Sequence, residues 1–385
     1  MAAPFTAALM QAVGVSRTVA WSLGIVAVAS ALVCVISQPW QLWVLWGVFI
    51  GVGTGSLALT FGTIMANRWF VAHRGMVTGV FSAATAAGQV VFVPVVADVT
   101  AAHGWRVATF LTAACAGVAA LLCALFLRDR PADVGELPVG GTTADAQAAD
   151  ADLVGAGAAL TTLWASSRRW PFWVLMGTFF VCGWSTNGVV VTHLAPAAHD
   201  HMMAPTTAAS LIGVIGIFDV VGTIISGWLT DRFDPRALLT VYYLSRGASL
   251  CFINAILGPH VTTPLWVFVV FYGLDWTATV PPTVELCRRH FGLRDSGVVF
   301  GWIYASHMVG AGIGASVSGV LRAHEGTYAA AWLLAAALCG VAGVLAMTIW
   351  AWPGGGGERE RVLVDAGPDV IGTPPEAGVL HDVHD

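Results

Sequence analysis

The chain has 385 residues, 57% of them hydrophobic and only 10% charged, with a net charge of −5 at pH 7. About a quarter of the residues in a soluble domain carry charge, so this balance excludes one, and the slight negative charge gives no hold on nucleic acid. All 17 basic residues are arginine, and the seven cysteines follow no CxxC spacing, so neither a disulfide framework nor a zinc site is expected.

The apolar residues come in blocks of about twenty, the length of helix that crosses a bilayer core. The expected fold class is therefore an all-α membrane protein. In chain order, residues 1–13 are apolar but short. About 13 residues of helix cover about 20 Å of a core about 30 Å thick. The stretch has neither the charged n-region nor the cleavage site of a signal peptide. Full-length spans follow at 18–36, 42–66, 75–98 and 105–127. Residues 128–170 open with RDRPADVGELPVGGTTADAQ and are rich in Ala, Gly and Asp; they read as a linker, with a short surface helix near LTTLWASSRRW. Six more spans follow at 171–193, 207–230, 237–257, 264–286, 297–321 and 327–352. Residues 353–385, opening PGGGGERER, read as a disordered tail. The expected domains are a helical bundle at 1–127, a loop at 128–170, a six-helix bundle at 171–352 and the tail.

Arginine placement sets the sidedness. Arg17, Arg68, Arg74, Arg128, Arg168, Arg232, Arg288 and most other loop arginines fall on one side of the up-and-down path, against Arg106 and Arg322 on the other. The positive-inside rule makes the first side cytoplasmic, with the central loop and the C-terminus on it. Counting back places Met1 within the membrane. One further span is thus expected ahead of it, and the first bundle is expected to be incomplete.

The chain repeats itself. RGMVTGVFSAATAAGQ (74–89) lies against SGVVFGWIYASHMVGA (296–311), and Gly75, Gly79 and Gly88 match Gly297, Gly301 and Gly310 at a constant offset of 222. Arg68 and Phe70 match Arg289 and Phe291 at 221, and Gly104 matches Gly326 at 222. GWLTDRFDPR (227–236) has a faint twin at an offset of 220 or 219 in AALMQAVGVSR (7–17). The twin keeps Leu9, Gly14 and Arg17, with Gln11 and Ala12 in place of Asp231 and Arg232.

With this repeat and charged loop, the sequence resembles the major facilitator superfamily over nearly its whole length. The segments NRWFVAHRGMVTGVFSA, LRDRPADVG, FDVVGTIISGWLTDRFDPR and YGLDWTATVPPTVELCRRHFG resemble the branch of monocarboxylate transporters and oxalate/formate antiporter-like proteins. The resemblance implies two pseudo-symmetric helical bundles that rock about a central site. It implies secondary active transport of a small organic solute, an organic anion such as a carboxylate, coupled to protons. It also implies that the charged loop, Asp231, Arg232 and Arg236, latches the bundles on the cytoplasmic face against the helix near Gly75. Absence of a G-x-x-x-x-G-K-[ST] segment argues against ATP-driven transport in this chain. No cofactor and no metal are expected. The expected partners are a small-molecule substrate, protons and the lipid bilayer; the expected setting is a monomer in the cell inner (plasma) membrane.

Ionisable groups inside spans mark the candidate site, because a charge at mid-bilayer costs about 2.5–3.5 kcal/mol even on insertion scales. Asp219 is near the middle of its span and is the first candidate for proton coupling, unless it is tied in a structural ion pair with Arg246. Relatives in the monocarboxylate branch place an arginine one turn later; here that residue is Thr223. Arg246 is the mid-span cation, either a helix-packing partner or a clamp for a substrate carboxylate. Asp275, ahead of Pro281-Pro282, is a further proton or substrate candidate. His307 lies at the depth of Asp219, and histidine is the side chain whose ordinary pKa is nearest physiological pH. Asn187 and His193 are the polar positions of STNGVVVTHL. Glu285 reads as a loop salt bridge with Arg288 and Arg289. HLAPAAHDH (193–201) invites a metal reading, but no second cluster completes a site. Two alternatives compete: a non-transporting remnant of such a carrier, and an intramembrane aspartyl protease. The second is weakened because Gly273-Leu274-Asp275 lacks the Gly-x-Gly-Asp motif of those enzymes.

Overall fold

The computed structural model describes residues 2–57, 59–143 and 158–349. The expected tail at 353–385 lies outside the described residues. Among the described residues the chain is helical, with one isolated bridge between Phe70 and Val139 and no strand.

In chain order the helices are α1 (Ala3–Val13), α2 (Val15–Val33), α3 (Pro39–Trp69), α4 (Arg74–His103) and α5 (Trp105–Phe126). A short α6 (Ala158–Ser166) falls where LTTLWASSRRW predicts a surface helix. Then come α7 (Trp170–Asp200), α8 (Pro205–Thr230), α9 (Pro235–Ile256), α10 (Thr263–Asp275), α11 (Val280–Glu325) and α12 (Ala329–Thr348). Among the described residues, eight helical stretches are long and apolar enough to cross a membrane. One of them, Thr263–Glu325, holds two passages. Its 63 residues are interrupted by a turn after Asp275 and by Gly292, whose φ of 78° and ψ of 170° end one limb of α11 and start the next. A side chain rarely adopts that φ, so glycine sits at the corner. A further passage, α9, has 22 residues but carries Arg246 at its centre, which lowers its apolarity. With these two, each of the ten full-length spans read from the sequence has a helix among the described residues.

Local chemistry sets the helix ends. In α9, Pro235 stands at the first turn with its φ already helical, and the Asp234 carboxylate accepts from Arg236 N at 3.0 Å. In α2, Ser16 N donates to Asp129 Oδ1 at 2.6 Å, so the first residues after α5 cap a neighbouring helix. The linker continues to pin the first half: Val139 N donates to Trp69 O at 2.8 Å and Val139 O accepts from Val71 N at 2.9 Å. Helices α3 and α7 each contain a π-helical stretch, Trp43–Ile50 and Trp184–Val191. Wider turns of this kind recur at functional sites.

The halves meet chiefly along two seams, α4 against α8 and α1 against α11. The repeat relates α8 to α1 and α4 to the second limb of α11, so one packing is used twice. Both seams depend on the absence of Cβ atoms. A Cβ on Gly227 would lie 2.5 Å from Gly75 O, and one on Gly79 would lie 2.7 Å from Thr223 O. On the other seam, a Cβ on Gly301 would lie 2.7 Å from Pro4 Cα. Small residues that let backbones touch are the usual basis of helix association in lipid.

One buried apolar cluster runs through α7 to α12, around Phe172, Phe179, Tyr243, Phe300 and Trp332; a smaller one joins α1, α2 and α3 to Val298 of α11. The outer faces are apolar as well. Trp43 is 80% exposed, Phe126 72% and Val344 62%. In water such a surface would be an aggregation site; against acyl chains it is the expected solvent contact.

Candidate functional site

Between the halves lies a cavity of about 710 Å³. Its walls come from α4 (Ser82, Thr85, Ala86, Val90), α7 (Cys182, Thr186, Asn187, Val191) and α8 (Ser210, Ile212, Gly216, Asp219). The turn between α10 and α11 adds Trp276 and Thr277, and α11 adds Tyr304 and His307. On α8 the lining stops at Asp219, and the turns beyond it, through Gly227, are packed against α4. The cavity thus belongs to the end away from Asp231.

Asp219 is 4% exposed. Its Oδ1 accepts three hydrogen bonds: from Thr223 Oγ1 at 2.9 Å, Thr277 Oγ1 at 2.6 Å and Thr277 N at 2.9 Å. Among the described residues none bonds Oδ2, which leaves that oxygen to the cavity. Thr277 can serve because α10 stops at Asp275. The chain turns over 276–279 before α11 begins, which frees the Thr277 N–H from a helical ladder.

The same turn frees carbonyls, and Arg246 takes them. Its Nη2 donates to Asp275 O at 2.6 Å and to Trp276 O at 2.9 Å, while Nε donates to Asp275 Oδ2 at 2.7 Å. Nη1 reaches Cys182 Sγ at 3.3 Å. Arg246 is fully buried and does not line the cavity. The alternative of a structural ion pair between Asp219 and Arg246 is thus set aside: Arg246 pairs with Asp275, and Asp219 is held by threonines. Asp275 lies behind the cavity wall rather than on it. Each aspartate has its own donors, so the two do not form a carboxylate pair sharing a proton.

On the opposite wall, Asn187 Nδ2 lies 3.5 Å from His307 Nε2, and the His307 ring stacks on Tyr304 with centroids 5.7 Å apart. Asn187 sits in the π-helical stretch of α7. There Gly183 and Gly188 bring α7 against the backbone of α11 near His307 and Ala311. His307 Nδ1 is buried without a partner. His193 is off the cavity: its Nε2 lies 2.9 Å from Ala315 O and its ring packs on Tyr328. Asp200, the last residue of α7 and part of the HDH run, accepts from Arg322 at 2.6 and 2.9 Å.

At the other end of the α4–α8 seam, Asp231 bridges the halves. Its Oδ1 accepts from Gly75 N at 2.7 Å and its Oδ2 from Met76 N at 2.9 Å, at the positive end of α4. Arg232 stacks on the Trp228 ring at 4.0 Å and Arg236 closes on Asp234 at 2.7 Å, both contacts lying within the second half. The Arg236 guanidinium holds the Asp234 carboxyl below the usual carboxylate range.

The structure thus brings Asp219, Asn187 and His307 to one cavity and places Asp275, Arg246 and His193 behind it. Thr277, Trp276, Cys182 and Tyr304 are lining residues that sequence reasoning passed over. Pro281-Pro282 was the one sequence signal near the turn that presents Thr277.

Two helical halves, joined by paired glycine seams around a buried polar cavity in an apolar shell, define a multi-pass membrane protein of the transporter class. The chain belongs to the Major Facilitator Superfamily, whose family model matches residues 1–284 and 183–363. It is 24% identical over 282 residues to the uncharacterized MFS-type transporter YcxA of Bacillus subtilis (strain 168), covering 72% of this chain and 64% of that one. It is 28% identical over 295 residues to monocarboxylate transporter 13 of Bos taurus, covering 75% and 63%. The chain therefore spans a little under two thirds of the length of these relatives. Among solved structures it resembles the fucose:proton symporter FucP of E. coli, with a TM-score of 0.63 and 20% identity over 89% of this chain and 86% of that one. It also resembles the human organic anion transporter MFSD10 (TETRAN), with a TM-score of 0.65 and 15% identity over 89% and 80%. At these identities the likeness is one of fold.

Proposed function

We propose that the chain forms the transport path of a proton-coupled secondary transporter, with Asp219 as the proton carrier and the cavity as the solute site. The observation that carries this is the Asp219–Thr223–Thr277 cluster. The two threonine hydroxyls lie 2.5 Å apart, and each also lies within 2.9 Å of Asp219 Oδ1. Three oxygen–oxygen contacts need three protons if each is a hydrogen bond. Two hydroxyls bring two: an ionised Asp219 accepts both and leaves the threonine–threonine contact without a proton, whereas a protonated Asp219 donates to one threonine and frees that threonine's proton for the contact. Loss of the Asp219 proton leaves one contact repulsive and loosens the joint between α8 and the α10–α11 turn. Proton binding is thereby linked to the packing of helices that must move when access alternates.

The solute is a small organic molecule, and an organic anion such as a carboxylate is the class supported by the similarity to monocarboxylate transporters. Among the described lining residues His307 is the basic side chain, with the Asn187 amide beside it. A carboxylate would therefore bind on that wall, across from Asp219. Arginine bias supports a plasma-membrane setting with the Asp231 end in the cytoplasm.

The test uses proteoliposomes loaded with a pH-sensitive dye and challenged with a panel of short carboxylates. The parent protein should acidify the lumen as a carboxylate enters. Asp219→Asn should abolish gradient-driven uptake and keep part of the solute exchange. Gradient-driven uptake that persists in Asp219→Asn removes the proton role from this residue.

A further inference from the structure

The turn over 276–279, which frees Thr277, is tied to three helices. From α9, the Arg246 guanidinium holds Asp275 Oδ2 at 2.7 Å, Asp275 O at 2.6 Å and Trp276 O at 2.9 Å. From α8, Ser226 Oγ donates to Ala278 O at 2.5 Å, and Asp219 Oδ1 meets both the N–H and the hydroxyl of Thr277. From α7, Cys182 Sγ lies 3.3 Å from Thr279 Oγ1 and 3.3 Å from Arg246 Nη1. One peptide group joins the first two ties. Its C=O is that of Trp276 and accepts from Arg246; its N–H is that of Thr277 and donates to Asp219 at 2.9 Å. A trans peptide is planar, with C=O and N–H on opposite edges, so fixing the carbonyl fixes the direction of the N–H. A cation on the carbonyl also polarises the group and strengthens the N–H as a donor.

We propose that Arg246 is a positioning residue for Asp219: by holding the Trp276 carbonyl it aims the Thr277 N–H and hydroxyl at the Asp219 carboxyl. The role rests on the reading of Asp219 as the proton carrier, and it adds that the hydrogen bonds of this acid are set from behind the cavity wall. It differs from both roles the sequence suggests for Arg246, a helix-packing ion pair and a clamp for a substrate carboxylate. The guanidinium is not among the described lining residues, and it gives one of its donors to the carbonyl of Trp276 rather than to an acid. Its shape matters as well as its charge. A planar fork meets a carboxylate and two successive carbonyls at once, whereas lysine carries the same charge on a single nitrogen.

The test is infrared difference spectroscopy of the full-length chain in proteoliposomes, titrated with acid. The carboxyl C=O band that grows in the parent and is missing in Asp219→Asn belongs to Asp219. Two variants release the turn in different ways. Arg246→Lys keeps the charge, and Arg246→Met with Asp275→Leu removes both charges together, so that neither is stranded. In both, the Asp219 band should move to higher frequency, as it does when a carboxyl group loses hydrogen bonds. Thr277→Val should move it the same way, and should add little on top of Arg246→Lys, which has already released that hydroxyl. In the two Arg246 variants the ratio of gradient-driven uptake to solute exchange, which the amount of folded protein does not alter, should fall about tenfold or more. Phe172→Leu, a buried change at the start of α7, should lower Tm and leave band and ratio in place. An Asp219 band that stays in place in either Arg246 variant overturns the positioning role and leaves the transport reading standing. If Asp219→Asn removes no acid-titrating band, the proton-carrier reading fails and the positioning role falls with it.

Discussion

Arg246 and Asp275 illustrate how buried charge is managed in this chain. The guanidinium is fully buried, and three of its hydrogen bonds go to one aspartate and the turn that follows it. Breaking such a pair strands the other charge, at a cost of about 3–5 kcal/mol, while replacing both partners by apolar residues of similar volume is often neutral. Arg246→Met alone is therefore expected to be strongly destabilising, and Arg246→Met with Asp275→Leu to recover most of the loss. Unfolding in detergent–denaturant titrations measures both. A double variant no more stable than the single one would assign Arg246 chiefly to the turn carbonyls. The sequence announced that these ionisable groups are special, since none is tolerated in lipid without a reason. It did not announce who pairs with whom. Asp219, Arg246 and Asp275 come from three helices, and their partners depend on helix rotation and on the turn at 276–279, which leaves no periodic signal. Thr223 stood out only as the place of an absent arginine, and Thr277 gave no signal, because the turn that aims its hydroxyl and its backbone N–H at Asp219 leaves no pattern in the sequence.

At the scale of elements, the spans and the repeat were legible because apolar length and glycine spacing are what the bilayer and the seams require. Constant offsets between Gly75, Gly79 and Gly297, Gly301 became two seams of the same construction. Less visible were the π-helical stretch that carries Asn187 and the ordered start of the linker, where Asp129 and Val139 tie down neighbouring helix ends. The cap of α9 gives a pH dependence. Asp234 is charged, bonded to Arg236 N and its guanidinium, and titrates below the ordinary aspartate value of about 3.9. A lowered folded-state value contributes stability in full above the unfolded value, and that contribution is lost as pH falls through the folded one. Asparagine also caps helices well, so Asp234→Asn isolates the charge. The Tm gap between parent and variant should hold steady from pH 8 to about pH 5 and close below about pH 4. A gap that widens toward acid would contradict the ion pair.

At the scale of the whole molecule, the two seams, the latch at Asp231 and the cavity beyond Asp219 describe one state, closed at the end with Asp231 and hollow at the other. The outer faces are apolar, and the polar side chains gather where the halves meet. Family membership and fold follow from the match to the superfamily and from the arrangement of helices. The transport reading depends on the cleft between the halves holding water. Cysteine labelling measures that directly, in a background freed of the seven native cysteines. Thr85→Cys, Asn187→Cys and Ser210→Cys line the cavity, while Ile217→Cys and Val221→Cys, exposed on the same α8, face outward. A membrane-impermeant maleimide added from the side opposite Asp231 should label the first three in intact proteoliposomes and leave the last two unlabelled. Labelling of Ile217→Cys and Val221→Cys, with Thr85→Cys and Ser210→Cys inert, would mean that α8 shows its polar face to lipid and that no water-filled path runs between the halves.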